Sequence, residues 1–266
     1  YKILCRDYTV SLDNLQRVWE AKLEPVFPCR IKTTDTTPET YSNANRIQRS
    51  ASIKVAQPRV LIPVFPGTNC EYDTARAFER AGAKAETIVI RNLSASAIEE
   101  SVNVFERAIK QSQIIMLPGG FSGGDEPEGS GKFITAFFRN AKIKDAVHDL
   151  LQNRDGLMLG ICNGFQALVK LGLVPFGEII DMADDAPTLT FNTIARHQSM
   201  MVTTRIASNK SPWLYGCEVG DIHTIPISHG EGRFVAPDRI IQQMANNGQI
   251  ATQYVDLDGN PTMDIR

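Results

Sequence analysis

Gly156-Leu157-Met158-Leu159-Gly160-Ile161-Cys162-Asn163-Gly164-Phe165-Gln166 sets a single cysteine between two glycines at the end of an apolar run. Its apolar run has the length of a buried strand, and Ala167-Leu168-Val169-Lys170-Leu171 directly after it has helical character. One cysteine stands at the junction, with Gly160 two residues before it and Gly164 two after. This is the G-x-nucleophile-x-G elbow, with Cys where hydrolases often carry Ser. Small residues are needed there because the nucleophile occupies a strained turn against which strand and helix pack closely. A helix N-terminus also favours negative charge, which suits a thiolate. The same residues fit an inert cysteine in an ordinary strand–helix turn, because free cysteine is commonly a small core residue. The elbow alone leaves both readings open.

The chain from Arg59 alternates strands and helices. Val60–Val64 reads as a strand and Phe65–Cys70 as a turn; Tyr72–Ala81 is a helix ended by Gly82, and Glu86–Ile90 a strand. A helix over Ala97–Lys110 puts Ile98, Val102, Phe105 and Ile109 on one face. Ile114–Leu117 is another buried strand, and helical segments around Phe133–Phe138 and Ile143–Leu151 lead to the cysteine strand. Strand–helix units with near-continuous apolar strands predict an α/β fold: a doubly wound, mainly parallel sheet, covered on both faces. Sites in such sheets form outside the carboxyl ends of the strands. The loops after Val64, Leu117, Ile161 and Ser228 are therefore expected to converge. After Val174-Pro175 the pattern is richer in strands, with Gln198–Ile206, His223–Ser228 and Ile250–Val255, and Asp258-Gly259 marks a hairpin turn.

Residues 1–57 have a different texture and are expected to form an appendage and linker to a main domain over 58–266. Ile3-Leu4 begins a strand, and Ser11 caps a helix with Leu12, Leu15, Val18, Trp19 and Leu23 as its apolar stripe, stopped by Pro25. Ile31–Pro58, rich in Thr, Ser and Asn, has linker composition. The chain begins at Tyr1 and stops at Arg266 just after a turn, so both ends read as cut from something longer.

With 266 residues, 28 Lys+Arg against 30 Asp+Glu and a net charge of −2, nothing suggests a nucleic-acid or membrane surface. Five cysteines without a C-x-x-C pair fit a reducing, cytoplasmic setting. No metal-ligand spacing stands out, so no metal site is expected.

Two further stretches could carry chemistry. Pro118-Gly119-Gly120-Phe121-Ser122-Gly123-Gly124-Asp125 is either a surface turn or an oxyanion hole, where adjacent glycines let backbone N–H groups approach a developing charge. A phosphate loop fails, because Glu126 stands where the earlier glycine should be and Phe133 where Ser/Thr would hold magnesium. His148 falls on a polar helix face and reads as solvated, and His197 and His223 as structural. His229, in Ile227-Ser228-His229-Gly230-Glu231-Gly232, follows a strand; with Glu231 it could serve Cys162 as base and orienter.

Leu159–Gln166 resembles the nucleophile motif of class I, triad-type glutamine amidotransferases, and Pro118–Ser122 their oxyanion strand. Pro66-Gly67-Thr68-Asn69-Cys70-Glu71, Gly120-Phe121-Ser122-x-Gly124-Asp125 and Ser228-His229-Gly230-Glu231-Gly232-Arg233-Phe234 are similar to the glutaminase domain of phosphoribosylformylglycinamidine synthase. The resemblance covers roughly residues 58–266. It implies the class I glutaminase, flavodoxin-like three-layer sandwich. It also implies Cys162 as nucleophile, the N–H groups of Gly120 and Asn163 as oxyanion hole, and Gln166, Ser228 and His229 as glutamine-binding residues. L-Glutamine would be the substrate. No cofactor belongs to this domain; ATP and Mg would be used by a synthetase domain of the same polypeptide, whose tail residues 1–57 resemble. In the family the catalytic His and Glu lie in a His-Pro-Glu motif near the C-terminus, and none occurs here. His229 and Glu231 are thus read as pocket residues first and catalytic residues second. A stress-type hydrolase or chaperone of the same architecture, and a docking module with a vestigial elbow, are the rival expectations.

Overall fold

A computed structural model describes residues 2–5, 8–28, 38–45, 51, 53–121 and 131–263. β1 (Lys2–Cys5) and β2 (Tyr8–Ser11) form an antiparallel hairpin that runs into α1 (Leu12–Ala21). The main body follows as β3 (Arg59–Val64), α2 (Glu71–Arg80), β4 (Lys84–Val89), α3 (Ala95–Gln111), β5 (Ile114–Leu117), α4 (Lys132–Phe138) and α5 (Ala141–His148). Next come β6 (Leu157–Gly160), α6 (Asn163–Leu171) and α7 (Leu173–Phe176). Then follow β7 (Thr188–Thr190), β8 (Gln198–Ile206), β9 (Ile222–His229), β10 (Arg233–Val235), α8 (Asp238–Asn246) and β11 (Thr252–Val255).

β3, β4, β5 and β6 make a four-stranded sheet in the order β4-β3-β5-β6, parallel throughout. Alternation along β3 explains its continuous apolar sequence. Leu61 enters the larger core with Phe105, Phe138, Ile115 and Leu117, whereas Val60 and Ile62 enter a second cluster with Met116 on the opposite face. α3, α4, α5 and α6 supply side chains to the first face, and Ala75 and Phe78 of α2 cover the second. Each wholly buried Phe, Leu or Ile stabilises the fold by about 1.5–3 kcal/mol. The expected doubly covered parallel sheet is thus present. The later strands stand apart, as a three-stranded antiparallel sheet (β11-β8-β9) and a β10-β7 pair.

Three local expectations need correction. On α3 the buried face is Ala97, Ser101, Val102, Phe105, Ala108 and Ile109, and Ile98 sits at its rim, 38% exposed. Ser11 occupies the N-cap position of α1, but its side chain makes no capping hydrogen bond. No residue of α1 is buried: Trp19 is 81% exposed, and Leu23, expected on the same stripe, falls beyond the end of the helix and is 63% exposed.

The stretch composed like a linker is anchored where it is described. The Asn43 N–H donates to the Ala207 carbonyl (2.8 Å), and Gln253 joins it, accepting from the Tyr41 N–H (3.2 Å) and donating to the Glu39 carbonyl (2.6 Å). Asn43 Nδ2 reaches the Asn246 carbonyl (3.2 Å) at the end of α8. Polar composition here serves hydrogen bonding to β11, α8 and the end of β8.

Candidate active site

β6 delivers the chain to Cys162 and α6 carries it away. Cys162 has φ +54° and ψ −113°, outside the regions an L-residue prefers, and it is solvent-exposed. The Gly164 N–H donates to the Ile161 carbonyl (3.0 Å) and the Gln166 N–H to the Cys162 carbonyl (3.0 Å), which closes the elbow into the first turn of α6. Gly164 is required by space: a Cβ there would lie 2.1 Å from the Leu117 carbonyl oxygen at the end of β5. The helix can therefore start this close to the sheet only on glycine.

The loops after β3 and β5 meet beside the cysteine, as the parallel topology predicts. Thr68 and Gly120 form an antiparallel bridge, flanked by bonds from the Asn69 N–H to the Gly119 carbonyl (3.1 Å) and from the Phe121 N–H to the Gly67 carbonyl (2.9 Å). In that arrangement Gly120 is the non-hydrogen-bonded member of the ladder, so its own N–H and C=O point away from Thr68. Gly119 runs against the cysteine, where an added Cβ would be 3.3 Å from the Cys162 Cβ and 3.9 Å from its Sγ. Any side chain at Gly120 (φ +137°) would strike the Gly67 carbonyl at 2.5 Å. Ser122–Asp125 lie outside the described residues.

The third wall is the segment after β9. Gln166 Nε2 donates to the Glu231 carbonyl (3.1 Å) and lies 3.4 Å from its Oε2, and Asn163 Nδ2 donates to Gln166 Oε1 (3.3 Å). These bonds tie the segment after β9 to the first turn of α6. His229 faces another way: its Nδ1 pairs with Asn192 Oδ1 (2.8 Å), while Asn192 Nδ2 donates to the His229 carbonyl (2.7 Å). Burial, helped by the nearby His197, holds the His229 imidazole below its ordinary pKa, favouring the neutral ring. A cavity of about 210 Å³ lies here, bordered by Asn192, Gln198, His229, Arg233, Phe234 and Tyr254.

Gly120, Asn163 and Cys162 thus gather at the carboxyl ends of β5 and β6, and Gln166 and Glu231 join them. Ser228 pairs with exposed His197 (Oγ to Nε2, 2.8 Å), and among the described residues the Cys162 thiol has no hydrogen-bond partner. His148 is not solvated: it is half-buried, and its Nε2 accepts from the Ile179 N–H (2.9 Å). Asn192 went unnoticed in the sequence, where a lone Asn in a loop carries no local signal. Metal-capable side chains also group together, in Cys217, Asp221 and His223, at the far end of β9 from His229.

The profile of the CobB/CobQ-like glutamine amidotransferase domain matches residues 57–266. Phosphoribosylformylglycinamidine synthase subunit PurQ of Methanococcus maripaludis is 38% identical over 212 residues, covering 79% of this chain and 71% of the relative. The protein of the same name from Aquifex aeolicus is 32% identical over 202 residues, 76% of each chain. Among solved structures, PurLQS from Thermotoga maritima superposes with a TM-score of 0.54 at 25% identity, over 77% of this chain and 80% of that one. With the elbow, the glycine strand and this match over most of its length, the chain belongs to the CobB/CobQ-like glutamine amidotransferase domain family.

Proposed function

We propose that this chain is the glutaminase half of phosphoribosylformylglycinamidine synthase. It would release ammonia from L-glutamine for the ATP-dependent amidation of formylglycinamide ribonucleotide in purine synthesis. One observation carries the reading: Cys162 stands on a strained elbow alongside Gly119-Gly120, in a chain whose relatives bear that enzyme's name.

Cys162 sulfur attacks the side-chain amide carbon of glutamine. The N–H groups of Gly120 and Asn163 stabilise the oxyanion; losing one such donor costs roughly 3–4 kcal/mol in transition-state stabilisation. The C–N bond breaks, ammonia leaves with a proton, and water then cleaves the thioester to give glutamate and the free thiol. Gln166, Ser228 and His229 are assigned to glutamine binding. His229 is assigned there and not to proton transfer, because its Nδ1 is held by Asn192 and, among the described residues, no hydrogen bond joins its ring to the Cys162 thiol. Glu231 is engaged with Gln166, which supports a pocket role.

The partner is the synthetase region that receives the ammonia and uses ATP and Mg; no cofactor is assigned to residues 58–266. We read residues 1–57 as the end of that region and its connector, in one polypeptide with the glutaminase domain.

Steady-state glutamine hydrolysis by the purified chain tests the assignment of the base. The His-Pro-Glu motif is absent from these 266 residues, so turnover is expected to be very weak. Turnover at the rate of a complete glutaminase, lost in His229→Ala, would make His229 the base and overturn its place in the pocket.

A further inference from the structure

We propose that Cys217, Asp221 and His223 form a site for a divalent cation of the Zn²⁺ class, at the turn that leads into β9. The sulfur of Cys217, a carboxylate oxygen of Asp221 and a ring nitrogen of His223 lie within 4.8 Å of one another. A tetrahedral zinc centre has metal–ligand distances of about 2.0–2.3 Å, which sets its ligands roughly 3.5 Å apart. The three groups are therefore about an ångström from ligating separation, within reach of side-chain rotation. Thiolate, imidazole and carboxylate form a donor set that suits zinc, and two negative ligands balance a 2+ ion. Three protein ligands leave a fourth position for water.

The backbone builds this cluster independently of any ion. Asp221 and His223 are two apart across the start of an extended strand, so both side chains leave the same face. Gly220 has φ +100° with open space around it, so it is the left-handed turn conformation that calls for glycine here. That turn folds Cys217 back toward Asp221. The Gly220 N–H donates to the Ile206 carbonyl and the Ile206 N–H to the Asp221 carbonyl (both 2.9 Å), stitching the turn to the end of β8. Asp221 Oδ2 accepts from the Glu218 N–H (2.8 Å), which fixes the carboxylate and leaves Oδ1 to ligate.

A second observation supports the site. Asn209 is 5% exposed; its Nδ2 donates to the Cys217 carbonyl (3.1 Å), yet its buried Oδ1 has no partner among the described residues. Buried acceptors are ordinarily satisfied, and a hydrogen of metal-bound water is one donor that would satisfy this one. His223 and His229 are six residues apart on one strand, about 20 Å at the usual rise, so this site is separate from Cys162 and its pocket. Its role would be structural: a clip on the turn that feeds the glutamine-pocket strand.

The chain, stripped with a chelator under reducing conditions, is titrated with Co²⁺ and followed by its thiolate-to-metal absorption band, then with Zn²⁺ in competition. One equivalent of Co²⁺ is expected to raise the band, and one equivalent of Zn²⁺ to remove it and raise Tm. Cys217→Ser and His223→Gln should lose the band while keeping the wild-type circular dichroism, and Cys162→Ser should keep it. No band in the folded wild type, or a band that survives Cys217→Ser, would overturn the site.

Discussion

Asn192, 4% exposed, binds the His229 segment with both ends of its carboxamide, and its Oδ1 also receives the Gly232 N–H (3.3 Å). Truncating it strands a partly buried carbonyl and frees the imidazole. Asn192→Ala is expected to cost about 1–3 kcal/mol, read as a lower denaturant midpoint at unchanged m-value. A change below a few tenths would show that the loop holds His229 without it. His229 itself gives a pH dependence. Its folded-state pKa is held below the ordinary value of about 6.5, so its contribution is present above that pH and is lost as pH falls through the folded value. Stability should therefore fall as pH drops below about 6.5, and His229→Gln should flatten that slope. An identical slope in the variant would mean that burial of the ring carries no such cost. Neither residue's partner could be read locally, because Asn192 and His229 are 37 positions apart and meet only when the chain folds.

At the scale of elements, the elbow and its strand–helix unit were legible because their signals are local. Gly160, Cys162 and Gly164 fall at fixed offsets, and the flanking runs have the lengths of a buried strand and a short helix. The sequence could not show how near α6 comes to β5. Gly164→Ala would put a methyl about 2 Å from a backbone oxygen that cannot swing aside. It is expected to cost about 3 kcal/mol or more, or to prevent soluble expression, as measured by urea unfolding of whatever material is obtained. Near-wild-type stability would mean that the helix shifts to make room. The turn into β9 was invisible for a related reason: Cys-x-x-x-Asp-x-His matches no familiar ligand pair, and only the Gly220 turn brings its first residue back to its last. The stripe on α1 illustrates the opposite failure. Its period correctly marked a helix, but period says nothing about whether a surface exists to receive it.

Across the whole molecule, the alternating pattern conveyed the parallel sheet and the place where its loops converge. What it missed was the docking of residues 38–45, since Thr, Ser and Asn look the same in a free linker and in a segment whose backbone is satisfied by another sheet. Asn43 is central to that docking, linking the end of α8 to the turn after β8. Asn43→Ala is expected to cost about 1 kcal/mol and to speed proteolytic cutting within residues 29–57; unchanged cutting would show that the contacts do not restrain the segment. The reactivity of Cys162 is tested by peptide mass spectrometry after treatment with a glutamine-mimicking electrophile. One adduct on Cys162 is predicted, slowed by excess L-glutamine and absent in Cys162→Ala. An unlabelled Cys162, or labelling spread over Cys70 and Cys217 and indifferent to L-glutamine, would contradict it.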